Sequence, residues 1–340
     1  MTRLLGMPTE VLVEEMKRLG EPKYRAGQVA QWLYLGVPFE EMSNLPAALR
    51  QKLREHFSEG YAKTLDCAIS QDGTKKYLFA LADGLTVESV YMPRDYGTSV
   101  CISTQVGCAC GCVFCASCRD GLERNLDSGE MLAQVIAMNA DNREKADHIV
   151  LMGMGEPLQN YEQVEMFIRL ANSEAGLNIG RRSISLSTCG IPEGMDRLAA
   201  SGLGVTLSVS LHAPTQAQRE RVMPVAKLYD IREVMDAARR YFDRTGRRII
   251  IEYAMIDGFN DSDEDAAQLK RLLAGLNCHV NLIPLNDTGM LRPTPKGRVY
   301  AFCEKLEQLG LSATVRRSVG GDIDGACGQL RQRHKGGGSC

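Results

Sequence analysis

Long apolar runs are missing from this sequence: no stretch approaches the ~20 residues that a membrane-spanning helix requires. The opening segment MTRLLGMPTEVLVEEMKRLG reads as an amphipathic helix with interspersed acids, not as a signal peptide. An excess of charge of one sign is missing too. The 40 Lys and Arg against 42 Asp and Glu leave a formal net charge of −2, which argues against indiscriminate polyanion binding. A nucleic-acid partner would have to be held by local basic patches. A disulfide framework is not expected either. With 12 cysteines in 340 residues, 44% of them hydrophobic and 24% charged, the chain reads as a globular protein of the reducing cytoplasm or one with a metal site.

The length exceeds one average domain and suits a large α/β core with a smaller appendage. Residues 1–58 are expected to form a helical accessory domain. Leu12, Met16 and Leu19 recur at helical spacing, Arg25–Tyr34 repeats the pattern, and a third helix over 42–56 takes Ser43 as its N-cap. Residues 59–97 change character: Asp72-Gly73 and Asp83-Gly84 separate three segments rich in Val, Leu, Tyr and Thr, the signature of an antiparallel meander.

From residue 98 to 331 strands and helices alternate. Strands are expected at Thr98–Ser103, His148–Met152, Ser183–Ser187, Val205–Leu211, Ile249–Met255 and Val280–Pro284. Helices are expected at Gly129–Asn139, Tyr161–Asn172, Glu193–Ala200, Ile231–Asp243, Asp263–Leu273 and Lys296–Leu309. The fold class is therefore α/β: six βα units fit a partial (β/α)6 barrel with its ligand mouth at the C-terminal strand ends. A doubly wound flavodoxin-like sheet is the alternative. Residues 332–340 read as a flexible tail.

Cys108, Cys112 and Cys115 form a C-x3-C-x2-C run. A [4Fe–4S] cluster ordinarily takes four thiolates, so a run that supplies three leaves one iron open. In radical S-adenosylmethionine (SAM) enzymes the open corner takes the amino and carboxylate groups of SAM. Rival readings start from the same loop. Cys110 and Cys118 make a zinc site arithmetically possible, but a second distant C-x2-C or H-x3-H pair is missing. A ferredoxin run would need cysteine where Leu122 stands.

Several longer stretches resemble the radical-SAM RNA adenine methyltransferases of the RlmN/Cfr group: PKYRAGQVAQWLY, TVESVYMPRDYGTSVCISTQVGCACGCVFC, GLERNL, LMGMGEPLQN, ISLSTCG, SVSLHAP, NLIPLN and GGDIDGACGQL. Together they run from about residue 20 to 331. Cys118 stands where these proteins more often carry glycine, and Cys189 where serine is usual.

The resemblance implies methylation of an adenine ring carbon, carbon 2 in large-subunit rRNA and in tRNA, or carbon 8 in the branch that confers antibiotic resistance. It implies one [4Fe–4S] cluster per chain on Cys108, Cys112 and Cys115. Two SAM molecules serve each turnover, one to methylate a cysteine and one to generate a carbon radical. Cys327 matches the methyl-carrying cysteine, in a loop made pliable by Gly320, Gly321, Gly325 and Gly328, and Arg316 and Arg317 would lower its pKa if they fold near it. Cys101 matches the cysteine that resolves the protein–RNA adduct, helping remove the proton and forming a transient disulfide with Cys327. Glu88 matches the proton acceptor, with Cys101 the alternative base, and strand alternation alone would turn Glu88 to solvent. Gly155, Glu156, Ser187, Ser210, Leu211, His212 and Asn286 match SAM-contacting positions. RNA contacts are expected from Arg181-Arg182, Arg239-Arg240, Arg244, Arg247-Arg248 and Lys23/Arg25. An electron donor such as flavodoxin and a monomeric, membrane-free state complete the expectation. A radical-SAM enzyme that modifies protein, or a zinc-stabilised RNA-binding module without turnover, are the readings from other classes.

Overall fold

The computed structural model describes residues 1–285, 291–317, 320, 322 and 323. Three helices open the chain: α1 (Thr9–Arg18), α2 (Tyr24–Tyr34) and α3 (Ala47–His56). Each buries one stripe, with Leu12 and Met16 on α1, Val29 and Leu33 on α2, and Leu49 and Leu53 on α3. Ser43 is not the N-cap of α3. Pro46 occupies that position, after a 3-10 turn at Phe39–Glu41. A proline disfavours helical geometry in the residue before it, so the helix cannot reach back through Leu45.

Strands β1 (Thr2–Arg3) and β2 (Phe57–Ser58) pair in parallel and draw the two ends of this region together. Its buried side chains are continuous with those of the remaining chain in one core. The junction is tight. A Cβ at Gly6, where φ is +92°, would sit 2.4 Å from the backbone nitrogen of Gly129. Gly129 lies in the first turn of α4 (Ser128–Asn142), whose start is fixed by a capping box between Asp127 and Glu130, a device worth about 1 kcal/mol.

The expected meander is present as β3 (Lys63–Ile69), β4 (Lys75–Ala80) and β5 (Thr86–Met92), all antiparallel. Next, β6 (Ser99–Cys101) pairs antiparallel with β5 and parallel with β9 (His148–Leu151). Between them β7 (Gln105–Gly107) and β8 (Leu122–Asn125) form a separate two-stranded pair. The chain continues through α5 (Tyr161–Asn172), β10 (Ile184–Thr188), α6 (Pro192–Ala200), β11 (Thr206–Ser210), α7 (Gln216–Val222), α8 (Ile231–Thr245) and β12 (Ile249–Met255). It ends, among the described residues, with α9 (Asp263–Leu272), β13 (Cys278–Pro284), α10 (Lys296–Gln308) and β14 (Ala313–Val315).

All six expected barrel strands are found, and β14 adds a seventh. The large sheet has the order β14-β13-β12-β11-β10-β9-β6-β5-β4-β3. From β6 to β14 each new parallel strand joins the same edge. A doubly wound sheet reverses its strand order at a switch point, and no reversal occurs here, so the partial barrel stands and the flavodoxin-like alternative falls.

Register then sorts the faces of this barrel. Residues directly opposite one another in a sheet point the same way, and alternate residues of a strand share a face. Glu88 and Val90 on β5, Cys101 on β6, Val150 on β9, Ser187 on β10, Ser210 on β11, Glu252 on β12 and Asn281 on β13 thus occupy one continuous face. The opposite face carries Leu186, Leu207, Val209, Ile251, Val280 and Leu282, all buried. Each such side chain contributes roughly 1.5–3 kcal/mol of burial. The helices cover this apolar face. The polar face turns inward, so the barrel interior is a chemically equipped cavity where a complete barrel would pack branched hydrophobes.

Candidate active site

The cysteine run lies in the loop between β7 and β8. At its base the Cys108 amide donates to the Gly121 carbonyl at 2.9 Å, and at its tip the Val113 amide donates to the Val222 carbonyl of α7 at 3.1 Å. Gln105 of β7 fastens the loop to the barrel: its Oε1 accepts from the Glu156 amide at 2.8 Å and its Nε2 donates to Asn125 Oδ1 at 2.7 Å. The loop thereby lies across the C-terminal strand ends. There Cys108, Cys112 and Cys115 line a cavity of about 350 Å³, within the range of small-molecule sites.

Six thiols surround that cavity: the three of the run together with Cys110, Cys118 and Cys189. Cys118 hydrogen-bonds with Cys108, Cys112 and Cys115. Hydrogen bonding to Cys118 pushes Cys112 and Cys115 well above the ordinary thiol range, while Cys118, raised by Cys108, is brought below that range by Cys112 and Cys115. Cys110 meets Cys189 at 3.4 Å between sulfurs.

Spacing distinguishes the candidate metals. A tetrahedral zinc with bonds of about 2.3 Å draws its sulfurs to within about 3.8 Å of one another. Among the described residues, the three donors gathered within 4.8 Å of one another are Cys110, Cys189 and Glu156, not the run itself. Both Glu156 oxygens already accept backbone amides, from Leu158 at 3.0 Å and Cys189 at 2.6 Å. The thiols of the run line one cavity without being gathered that tightly, which suits a cubane holding one thiolate per corner. The donor set therefore fits a [4Fe–4S] cluster.

The strand ends supply the remaining lining. Gly155, at φ +103°, lets the chain pass so close to Gln105 that a Cβ would lie 2.6 Å from that side chain. Glu156 follows, buried, its carboxyl pushed up by desolvation against the pull of the two amides. Ser187 and Ser210 place their hydroxyls 3.3 Å apart. His212 has left-handed backbone geometry (φ +58°) and accepts the Ala254 amide on Nδ1 at 3.0 Å. Burial and the nearby Arg219 lower its pKa to about 3, so the ring is neutral and presents Nε2–H. Phe114 of the cysteine loop meets that ring edge-on at 4.8 Å.

Four lining or adjoining residues were not anticipated as site residues. Glu252 is buried with its carboxyl raised by desolvation, and it accepts from Asn281 Nδ2 at 2.8 Å. Arg316 and Arg317, noted earlier only for their closeness to Cys327 in sequence, line the cavity. Arg219 is fully buried beneath the thiols, donating to the Cys189 carbonyl, and its Nε has no partner among the described residues. An acid inside IIIEYAM and the alternating serines of ISLST and TLSVS were the available signals: polar residues on every second position of buried strands mark an inward polar face.

Other expected residues lie elsewhere. Leu211 is buried, hydrogen-bonded through its amide to Glu252 O, and does not line the cavity. Cys101 is buried among Val90, Met92, Val150 and Met152, and of these Met152 reaches the cavity. Glu88 is not turned to solvent, as alternation alone suggested; it is 3% exposed and its Oε2 lies 3.0 Å from Lys76 Nζ. Both faces of β5 are covered, one by α4, where Ser89 Oγ donates to Gln134 Oε1, and one by the barrel interior. Cys327 and Asn286 lie outside the described residues. Several of the expected RNA-binding arginines are already engaged: Arg239 with Asp236, Arg240 with Asp196, Arg181 and Arg247 with the carbonyls of Gly202 and Gly204.

Comparison with known proteins identifies the family. Residues 102–269 match the Radical SAM superfamily, and residues 2–58 match the ribosomal RNA large subunit methyltransferase N-terminal domain. A probable dual-specificity RNA methyltransferase RlmN from Symbiobacterium thermophilum is 50% identical, over 97% of this chain and 91% of its own length. The chain belongs to the RlmN family of radical-SAM RNA methyltransferases. An RlmN homologue from Lachnospira eligens is 47% identical over 98% of this chain and 97% of its own. The crystal structure of a radical SAM methyltransferase from Sphaerobacter thermophilus superposes with a TM-score of 0.94 at 43% identity, covering 97% of this chain and 99% of the other. Among the described residues no helix is long and apolar enough to cross a membrane.

Proposed function

We propose that this chain methylates carbon 2 of adenine in large-subunit rRNA and in tRNA, using SAM and a [4Fe–4S] cluster and passing the methyl group through a cysteine of its own. The observation that carries the proposal is the set of C-x3-C-x2-C thiols at the strand-end cavity, directly beside the buried carboxylate of Glu156. An adenine C–H carbon is not nucleophilic, and the cluster, when bound, supplies the electron that turns SAM into a source of a carbon radical able to attack such a carbon.

The chain's own residues do the rest. Cys108, Cys112 and Cys115 would hold the cluster. Glu156, free of any cationic partner among the described residues, would accept from the SAM ammonium, while Gly155 lets the backbone approach. Ser187, Ser210 and His212 would position the ribose and base of SAM, with Asn286 completing the contact. Cys327 would carry the methyl group, and Arg316 and Arg317 supply positive charge at the cavity that favours a thiolate there. Cys101 would resolve the protein–RNA adduct. Glu88 lies on the same sheet face as Cys101 and would take the proton, with Lys76 balancing its charge. RNA would bind over the N-terminal helices and the cavity mouth, and the target adenine must leave its stack to enter. We further infer a cytoplasmic monomer that draws electrons from a donor such as flavodoxin.

The test is transfer of labelled methyl from SAM to protein-free RNA under reducing, oxygen-free conditions, with the product nucleoside identified by mass spectrometry. Label on carbon 2 of adenine is expected. Label on carbon 8, or on protein with none in RNA, would overturn the assignment. Cys101→Ala should accumulate protein covalently linked to RNA, and a variant that stays free of RNA contradicts the resolving role.

A further inference from the structure

Strands β14 and β3 are the two edges of the ten-stranded sheet, yet the chain ties these edges together. After β14 it reaches the hairpin turn between β3 and β4. There a turn closed by the Ile323 amide on the Gly320 carbonyl, at 3.1 Å, meets Ser70–Thr74. The contact is reciprocal, with one aspartate from each turn serving the other. Asp322 Oδ1 accepts from Ser70 Oγ at 2.5 Å, and its Oδ2 accepts from the Gln71 amide at 3.1 Å. Asp72 Oδ2 accepts from the Gly320 amide at 3.1 Å, while its Oδ1 holds its own turn through the Thr74 amide at 2.9 Å. Ser70 and Thr74 are buried. Gly320 has φ +60°, and a Cβ there would lie 3.1 Å from Ile323 Cγ1 and 3.4 Å from Thr74 Cγ2. The Asp72-Gly73 turn, a hairpin signal in the sequence, thus has a second use as a dock.

We propose that Asp322 is a positioning residue for Cys327, tethering the chain just ahead of the methyl-carrying cysteine to the opposite edge of the sheet. This rests on the proposed role of Cys327, which itself lies outside the described residues. Cys327 follows Ile323 by four residues and Arg316 by eleven, and Arg316 is fixed to β13 by its amide on the Leu282 carbonyl at 2.8 Å. Four extended residues reach about 14 Å, and eleven reach about 40 Å. For a flexible tether long enough to span the gap, local concentration falls as roughly the −3/2 power of length. The shorter tether therefore presents the thiol about fivefold more often. The step it serves is a displacement. The Cys327 thiolate forms a bond to the SAM methyl carbon, the sulfonium carbon–sulfur bond breaks with its electron pair, and S-adenosylhomocysteine leaves. An ionised aspartate suits the tether because it only accepts, so both of its oxygens can receive donors of the facing turn.

The experiment uses the full chain, reconstituted without oxygen, as wild type, Asp322→Ala, Asp322→Asn, Ser70→Ala, Ser70→Ala/Asp322→Ala and Cys327→Ala. SAM affinity is measured beside the single-turnover rate at which labelled methyl passes from SAM to the protein without RNA. In Asp322→Ala that rate should fall about fivefold while SAM affinity stays at the wild-type value. Asp322→Asn keeps one acceptor oxygen and should lose less. Ser70→Ala cuts the same contact from the facing turn, so it should also slow transfer alone and serves if Asp322→Ala does not fold. The double variant should be no slower than Asp322→Ala, because both changes remove one shared contact. A wild-type rate in Asp322→Ala, additive losses in the double variant, or equal losses of SAM binding and transfer would each overturn the tether. Cys327→Ala separates the two levels. Methyl still accepted by that variant would show that another residue carries it, and the tether falls with the assignment. No methyl there, together with a wild-type rate in Asp322→Ala, sinks the tether alone.

Discussion

Glu88 and Glu156 are equally buried, at 3% exposure each, but their charges are balanced in different ways. Glu88, on the antiparallel side of the sheet, is paired with the wholly buried Lys76. Glu156, at the parallel strand ends, is held by the amide dipoles of Leu158 and Cys189. A buried ion pair is already complete, and removing either partner strands a charge. A carboxylate balanced only by dipoles retains lone pairs and an unmet demand for positive charge. The first arrangement fixes a group in place. The second leaves room for a cation, and in the proposed function that cation is the SAM ammonium.

Breaking the pair should produce the larger effect. Glu88→Gln is expected to destabilise the fold by about 3–5 kcal/mol, read as a lowered denaturant midpoint, because Lys76 keeps its charge without the carboxylate. The double variant Lys76→Met/Glu88→Leu should recover most of that stability, since an apolar pair of similar size carries no desolvation cost. It should still fail to methylate RNA. A stable and active double variant would reduce Glu88 to a structural residue.

At the other carboxylate the effect is shared between folding and binding. Glu156→Gln should cost about 1–3 kcal/mol of stability, because one of the two amides then faces an NH2 group, while weakening SAM on the order of tenfold through loss of the charge. Unchanged SAM affinity would contradict the contrast between the two acids.

At His212 the effect is absent at neutral pH and shows only in acid. Its folded-state pKa, about 3, is below the unfolded value of 6.5, so the folded protein binds fewer protons. Its contribution is fully present above pH 6.5 and is lost as pH falls from there toward 3, at up to about 1.4 kcal/mol per pH unit. Asparagine tolerates left-handed geometry and can accept the Ala254 amide, so His212→Asn should fold yet lose part of the acid sensitivity between pH 6.5 and 5. Parallel stability curves for the two proteins across that window would rule out a buried, neutral His212.

Much of this could be read from residue order. The Asp-Gly turns, the alternation of strands and helices, and the cysteine spacing each reflect local chemistry, and each recurs in the structure where expected. What escaped depended on distant partners. The polar segment QAQRERV forms α7 because Thr215 caps it and Arg219 and Val222 are buried beneath it, neither of which periodicity records. Glu88 defied strand alternation because its face of β5 turns into the barrel interior, while α4 covers the other face through Ser89. The three-residue β14 is too short to signal itself. Cys110 and Cys189 are 79 residues apart and meet only when the loop crosses the strand ends. Ligand candidates were therefore legible, while the groups that tune them, Arg219, Glu252 and Cys118, came from the fold.

The decisive measurement is metal content after oxygen-free reconstitution with iron, sulfide and an equal supply of zinc. Wild type should retain about four irons per chain and little zinc, and Cys108→Ala should retain almost no iron. A wild-type protein that takes up one zinc and no iron would contradict a thiol cup built for a cubane.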